Sequence, residues 1–216
     1  MGGEEGFDLY VLAQSWAAEY CCNNPERCAT VSESWSSKRL ILHGLWPAYA
    51  SRRDGESSPT SCPTKEKFDK KVIPQLALDF APNYHGGLGR HEWSKHGTCS
   101  ELPPKLYFEE ALRTMLSLPK TDRGTPEYLK ENIGGEMDSK DLRACYRKDI
   151  AVKVNKKCVL EEITTCWAKE NKNGLTKVGE QIDCPDYIMK GFRNNCDSKL
   201  CKGKIKVTKL GECSEE

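Results

Sequence analysis

The chain has 216 residues, 30% of them charged and 38% hydrophobic, with a formal net charge of +1. This is room for one domain with a proper core, and the near-neutral balance excludes a protein that holds nucleic acid on a broad basic surface. No apolar run approaches the roughly 18 residues that a membrane span requires.

Residues 1–6, "MGGEEG", carry neither a basic start nor an apolar stretch, so no signal peptide is expected here and the segment reads as a tail on a processed or trimmed chain. A single domain is expected over 7–213. "FDLYVLAQSW" (7–16) and "RLILHGLWP" (39–47) are short β-rich runs, the second brought to a close by Pro47. "ASRRDGESSPTS" (50–61) reads as an exposed loop from its Gly, Pro and Ser content. Phe68, Val72 and Leu76 recur at four-residue spacing and predict a helix. A second helix follows Pro104, with Leu112, Met115 and Leu116 on one face. In "TPEYLKENIGG", Thr125 is the expected N-cap, Pro126 the first helical residue and Gly134 the stop. The final third turns to strands: Ile150, Val152 and Val154 alternate, then come "VLEEITTCWA" (159–168) and "KIKVTKL" (204–210). Strands, helices, then strands predict an α+β class, with a central, mostly antiparallel sheet flanked by helices.

Twelve cysteines run from Cys21 to Cys213. Zinc would want paired C-x2-C spacings; Cys196 to Cys201 and Cys158 to Cys166 are too wide, and adjacent Cys21 and Cys22 read as halves of separate bridges. Up to six disulfides are therefore expected, with an oxidising compartment: secreted or endomembrane, such as a vacuole, lysosome or ER lumen. No N-x-[ST] sequon occurs, so N-glycosylation is not expected.

Three of the four histidines fall in two short motifs, "LILHGLWP" with His43 and "HEWSKH" with His91 and His96. Alone, a histidine closing an apolar strand is more often structural than catalytic, and His85 in "NYHGG" reads as a surface loop residue. Zinc proteases place two histidines at i and i+4. Here the spacing is i and i+5, roughly 140° apart on a helix, which does not favour chelation of one ion. His91, Glu92, Lys95 and His96 instead share one stripe of a short helix. A lysine in the cluster repels a divalent cation and attracts a phosphate; the bland alternative is a solvated, salt-bridged face. Gly97 would end the helix and Cys99 could pin it. If His43 faces His96 across a cleft, two imidazoles of pKa about 6.5 can serve as base and acid in phosphoryl transfer. No metal is then needed, because RNA supplies its own nucleophile, the 2′-hydroxyl.

"LILHGLWP" and "RHEWSKHGTC" resemble the two active-site segments of the ribonuclease T2 family, secreted or endomembrane endoribonucleases of low base specificity, here with a plant-like cast. "LAQSWAAEYC", "CPTKEKF" and "GEQIDCP" extend the likeness over most of the chain. The resemblance implies an α+β fold, no cofactor, and cleavage of single-stranded RNA by transesterification through a 2′,3′-cyclic phosphate to 3′-phosphate ends. It implies His43 as general acid, His96 as general base, Glu92 and Lys95 as stabilisers of the transition state, and His91 as a phosphate contact. Trp46 would support a base, joined by Tyr49, with Gln14 and Asn83 lining a second base pocket. It also implies a Cys62–Cys99 bridge. DNA is expected to resist, no membrane span is expected, and a monomer is expected. The chain departs from the family in Ala17, where proline is usual, and in "LGR" (88–90), where an aromatic pair is usual. Base preference is therefore not carried over, and Arg90 has no assigned role. The rival readings are a metal-dependent hydrolase and a catalytically weak member that works by binding a partner.

Overall fold

The structure is a computed structural model, and it describes residues 6–28, 38–53, 55–118, 120–190 and 193–213; most of the expected tail, 1–6, lies outside them. In chain order the elements are β1 (Leu9–Trp16), α1 (Ala17–Asn23), β2 (Leu40–Ala48), α2 (Gln75–Phe80), α3 (Gly89–Lys95), α4 (Pro104–Leu116), β3 (Thr121–Asp122), β4 (Thr125–Pro126), α5 (Glu127–Glu131), β5 (Glu136–Asp138), α6 (Ser139–Arg143), β6 (Ala151–Val154), β7 (Leu160–Lys172), β8 (Leu175–Ile182), α7 (Asp186–Met189) and β9 (Lys204–Lys206). A five-stranded sheet runs β2-β1-β7-β6, with β8 also paired to β7, and every pairing in it is antiparallel. The predicted α+β class with an antiparallel sheet is what the chain forms.

Both faces of this sheet are covered, which explains why β1 reads as an almost unbroken apolar run. Tyr10, Leu12 and Trp16 enter the main core with Phe108, Tyr107, Met115 and Ile163. Leu9, Val11 and Ala13 pack on the other face with Trp46, Cys166 and Ile188. The helical layer is tied to the sheet by three tyrosine hydroxyls: Tyr107 donates to the carbonyl of Leu45 in β2 at 2.8 Å, Tyr84 to that of His43 in β2 at 3.2 Å, and Tyr10, from β1, to that of Ser100 at 2.8 Å.

Five local expectations fail. Pro47 does not close β2, which continues to Ala48 with Pro47 opposite Tyr10; β2 is a sheet edge, where a missing N–H is tolerated. The helix through Phe68, Val72 and Leu76 does not form. Pro74 interrupts it, leaving a short turn at Lys70–Val72 and then α2, with Leu76 exposed. Thr125 and Pro126 lie in β4 and the helix starts only at Glu127, because the Thr125 hydroxyl accepts from the Leu40 amide at 3.0 Å instead of capping α5. On α4, Leu112 and Met115 are buried but Leu116 is exposed. The last strand is also shorter than read: β9 pairs with β5 in a separate two-stranded sheet.

Five disulfides form: Cys21–Cys28, Cys22–Cys213, Cys62–Cys99, Cys158–Cys201 and Cys166–Cys184. Cys145 and Cys196 stay reduced. Each thiol has another partner, the Asp141 carbonyl for Cys145 and the Arg143 guanidinium for Cys196.

Candidate active site

The site lies where β2, β7 and α3 meet. In β2 the alternation of side chains breaks. Ala13 pairs with Gly44 but Gln14 with Leu42, so His43 is the residue left out of the ladder. Such a bulge re-aims a side chain. Leu40, Leu42 and Leu45 enter the main core, whereas His43 and Trp46, three residues apart, share the opposite face and meet edge to face at 5.2 Å between ring centroids. In a regular strand residues three apart would point to opposite faces.

Helix α3 brings the second motif against that face. Its rear is buried through Trp93 and Gly97, where an added Cβ would lie 2.4 Å from the Trp93 ring. The Cys62–Cys99 bridge and a hydrogen bond from the Ser61 amide to the Lys95 carbonyl, 2.8 Å, hold the far end. His96 follows the last helical residue with φ −118°, so its ring leaves the helical stripe and lies 5.1 Å from Trp46. Glu92 is fully buried and accepts from the Trp46 indole N–H at 2.7 Å. Gly44 permits this bond, since a Cβ there would lie 2.0 Å from Glu92 Oε2. His43 Nε2 is 3.8 Å from the other carboxylate oxygen, Oε1. His91 and Lys95 are exposed on the outer side of α3.

These neighbours set opposite proton affinities for the two histidines. Burial lowers the affinity of His43, but the hydrogen bond and charge of Glu162 and the charge of Glu92 outweigh it, and the pKa is raised above 6.5. Burial, helped by the charges of Lys95, His91 and His43, drives His96 down to about 3. Burial also pushes the Glu92 carboxyl up to about 7, against the opposing pull of His43 and the Trp46 hydrogen bond. His91 is lowered by burial and by the adjacent Lys95. Nδ1 of His96 and Oε1 of Glu92 are buried without a hydrogen-bond partner among the described residues.

The helical-wheel argument against chelation does not hold as geometry. His91, Glu92 and His96 offer ligand-capable atoms all within 4.8 Å of one another, because His96 has left the helix. Two imidazoles and a carboxylate are a donor set that zinc-class ions accept, although Lys95 adds positive charge beside it.

Asn83 lines a cavity of about 380 Å³ beside His43, with Ser15, Tyr20, Leu88 and Glu162. Gln14 does not reach it. Its side chain is on the other face of β1, fully buried, with Nε2 donating to the Gly124 carbonyl at 3.0 Å. Tyr49 is not among the described residues that line the recess beside Trp46; its ring carries the Arg53 guanidinium at 4.4 Å. Tyr187 takes the place expected of it, lining a small recess with Trp46 and Arg193 while its hydroxyl donates to the Tyr49 carbonyl. Arg90 lies over the Phe68 ring, and His85 is exposed.

Two residues of the site were invisible in the motifs. Glu162 of β7 is buried and holds His43 Nδ1 at 2.9 Å. Arg193 pairs with Glu162 at 3.3 Å and lies over Trp46 at 4.6 Å. The only signal available was a carboxylate at a core-facing position of "VLEEITTCWA", where a buried charge demands a partner.

The family model described as the ribonuclease T2 family matches residues 7–184. A ribonuclease of Aeromonas hydrophila is 41% identical over 213 residues, 88% of this chain and 89% of that one, so the likeness is not confined to plants. Ribonuclease 1 of Arabidopsis thaliana is 32% identical over 119 residues, 50% of either chain. The crystal structure of Japanese pear S3-RNase superimposes with a TM-score of 0.58 at 22% identity, over 83% of this chain and 91% of that one, a likeness of fold.

Proposed function

Because the chain belongs to the ribonuclease T2 family, we propose that it is a metal-independent endoribonuclease that cleaves single-stranded RNA by acid–base transesterification. The observation that carries this reading is the pair of histidines beside Trp46, one raised and one lowered in proton affinity. Neutral His96 takes the proton of the 2′-hydroxyl as that oxygen attacks phosphorus. Protonated His43, with 36% of its side chain exposed, gives its proton to the departing 5′-oxygen. The P–O5′ bond breaks and a 2′,3′-cyclic phosphate remains. Water then opens the ring with the proton roles reversed, leaving a 3′-phosphate.

Lys95 supplies positive charge on the solvent side for the phosphate oxygens, His91 offers them a ring N–H, and Glu92, held near half-protonation at neutral pH, supplies a hydrogen bond. Trp46 and Tyr187 offer aromatic surface for a base at the recess that Arg193 also lines, and Asn83 offers a polar contact to a second one. DNA lacks the 2′-hydroxyl and stays intact. The five disulfides support work in a secretory or endomembrane compartment.

The test is cleavage of a ribodinucleotide by the purified protein between about pH 2 and 9, a window wide enough to span the depressed His96 and the raised His43, with and without a chelator. A bell-shaped profile unchanged by chelator is expected, with His43→Ala or His96→Ala lowering kcat by about 10²–10⁴-fold. Loss of activity in chelator points to the His91, Glu92 and His96 set as a metal centre. RNA binding without cleavage points to a non-catalytic member, and full activity in either histidine variant refutes the assignment.

A further inference from the structure

The site contains a buried carboxylate that the reaction just described does not use. Glu162 projects from β7, two strands away from β2. Residue Ser15 lies opposite both Ile41 and Glu162 in the ladders, and its small side chain leaves a gap across which Glu162 reaches the bulged His43. Both carboxylate oxygens are engaged, Oε2 with His43 Nδ1 at 2.9 Å and Oε1 with the Arg193 guanidinium at 3.3 Å. With two cationic neighbours the carboxylate stays ionised, below its ordinary range despite its burial.

A carboxylate on one ring nitrogen fixes which nitrogen faces the chemistry. Bonded to Glu162, Nδ1 must carry a hydrogen, which leaves Nε2 as the exchanging atom, directed to the side where Glu92 lies. A bulged strand residue has no ladder hydrogen bonds of its own to hold it, so the ring depends on this contact more than a regular strand residue would. Arg193 closes the chain of contacts, because the same guanidinium that pairs with Glu162 covers the Trp46 ring.

We propose that Glu162 is the positioning residue of His43, fixing its ring and its Nδ1–H form, and that Arg193 couples that carboxylate to the Trp46 base platform. This rests on the reading of His43 as the general acid. A structural ion pair alone would affect stability only; a positioning role also affects the protonation of His43.

The experiment uses the whole protein carrying Glu162→Gln, Glu162→Asp or Arg193→Gln, with melting temperatures recorded to establish folding. Two readouts are taken: the pH profile of dinucleotide cleavage, and the titration and tautomer of His43 by ¹⁵N NMR. Glu162→Gln is expected to lower kcat by about 10- to 100-fold with KM little changed, the range seen when an orienting partner of a functional histidine is lost. It should move the alkaline limb of the profile and the His43 titration to lower pH. Glu162→Asp, which keeps the charge, should restore the limb. Arg193→Gln removes a charge that opposes protonation of His43, so it should move the limb the other way. Wild-type kcat and an unmoved His43 titration in folded Glu162→Gln overturn the proposal, and so do shifts of equal sign in the Glu162→Gln and Arg193→Gln variants. Should the wild-type protein cleave no RNA, the functional reading fails by itself, and the His43 titration still decides whether Glu162 controls that ring.

Discussion

Gly44 lies at the crossing of fold and site, and its replacement tests both. A Cβ built there would lie 2.0 Å from Glu92 Oε2 and 2.5 Å from Trp46 Nε1, inside the hydrogen bond that joins the two motifs. The groups belong to rigid surroundings, a fully buried carboxylate and an indole that is 7% exposed, so the clash cannot be relieved at a flexible tip. Overpacking costs about 1–3 kcal/mol, and losing a hydrogen bond to a buried charged group about 1.5–3 kcal/mol. The two overlap, so Gly44→Ala should cost about 2–5 kcal/mol. For a chain of this size the melting temperature falls on the order of 5–15 °C. Gly86 is the control: no atom lies within 4 Å of its built Cβ, and Gly86→Ala should change stability by no more than about 0.5 kcal/mol. Circular dichroism melts of both variants, with kcat on a dinucleotide, make the comparison. A Gly44→Ala protein that melts with the wild type and keeps its turnover would show that the Trp46 to Glu92 contact is not the joint described here.

Lys95 is exposed and forms no ion pair among the described residues, so Lys95→Ala should lower kcat at least about 10-fold while leaving the melting temperature nearly unchanged; paired melts and kinetics check this. Opening the Cys62–Cys99 bridge, which closes a separation of 37 residues, with a Cys62→Ser, Cys99→Ser double variant should cost about 3–4 kcal/mol by loop-closure entropy, read as a lower denaturant midpoint. His96 is depressed from 6.5 to about 3, so between these values the unfolded chain binds the extra proton and its contribution to stability is lost as pH falls. Glu92 is raised from 4.5 to about 7, so its contribution is lost as pH rises through that window. Urea midpoints at several pH values should therefore show less acid loss in His96→Gln and less loss toward neutrality in Glu92→Gln than in the wild type.

The family was legible in the sequence, because His43, Glu92, Lys95 and His96 occur in two dense motifs that resemble its active-site segments. The antiparallel α+β class was legible as well, since buried strands declare themselves by composition and by Gly and Pro punctuation. Local boundaries failed where a neighbour decided the matter: Thr125 is claimed by the Leu40 amide, and Pro47 is tolerated because β2 is an edge. Gln14 was placed by resemblance to the family and not by any local pattern, and its buried side chain bonds to the Gly124 carbonyl, a partner 110 positions away in the sequence. Only the tertiary structure placed His43 and Trp46 on one face, through a bulge at His43 itself. It alone brought Glu162, 119 positions away, to His43. Side-chain type is a local property, whereas register and the partner of a buried charge depend on strands distant in sequence, and no short motif carries that information.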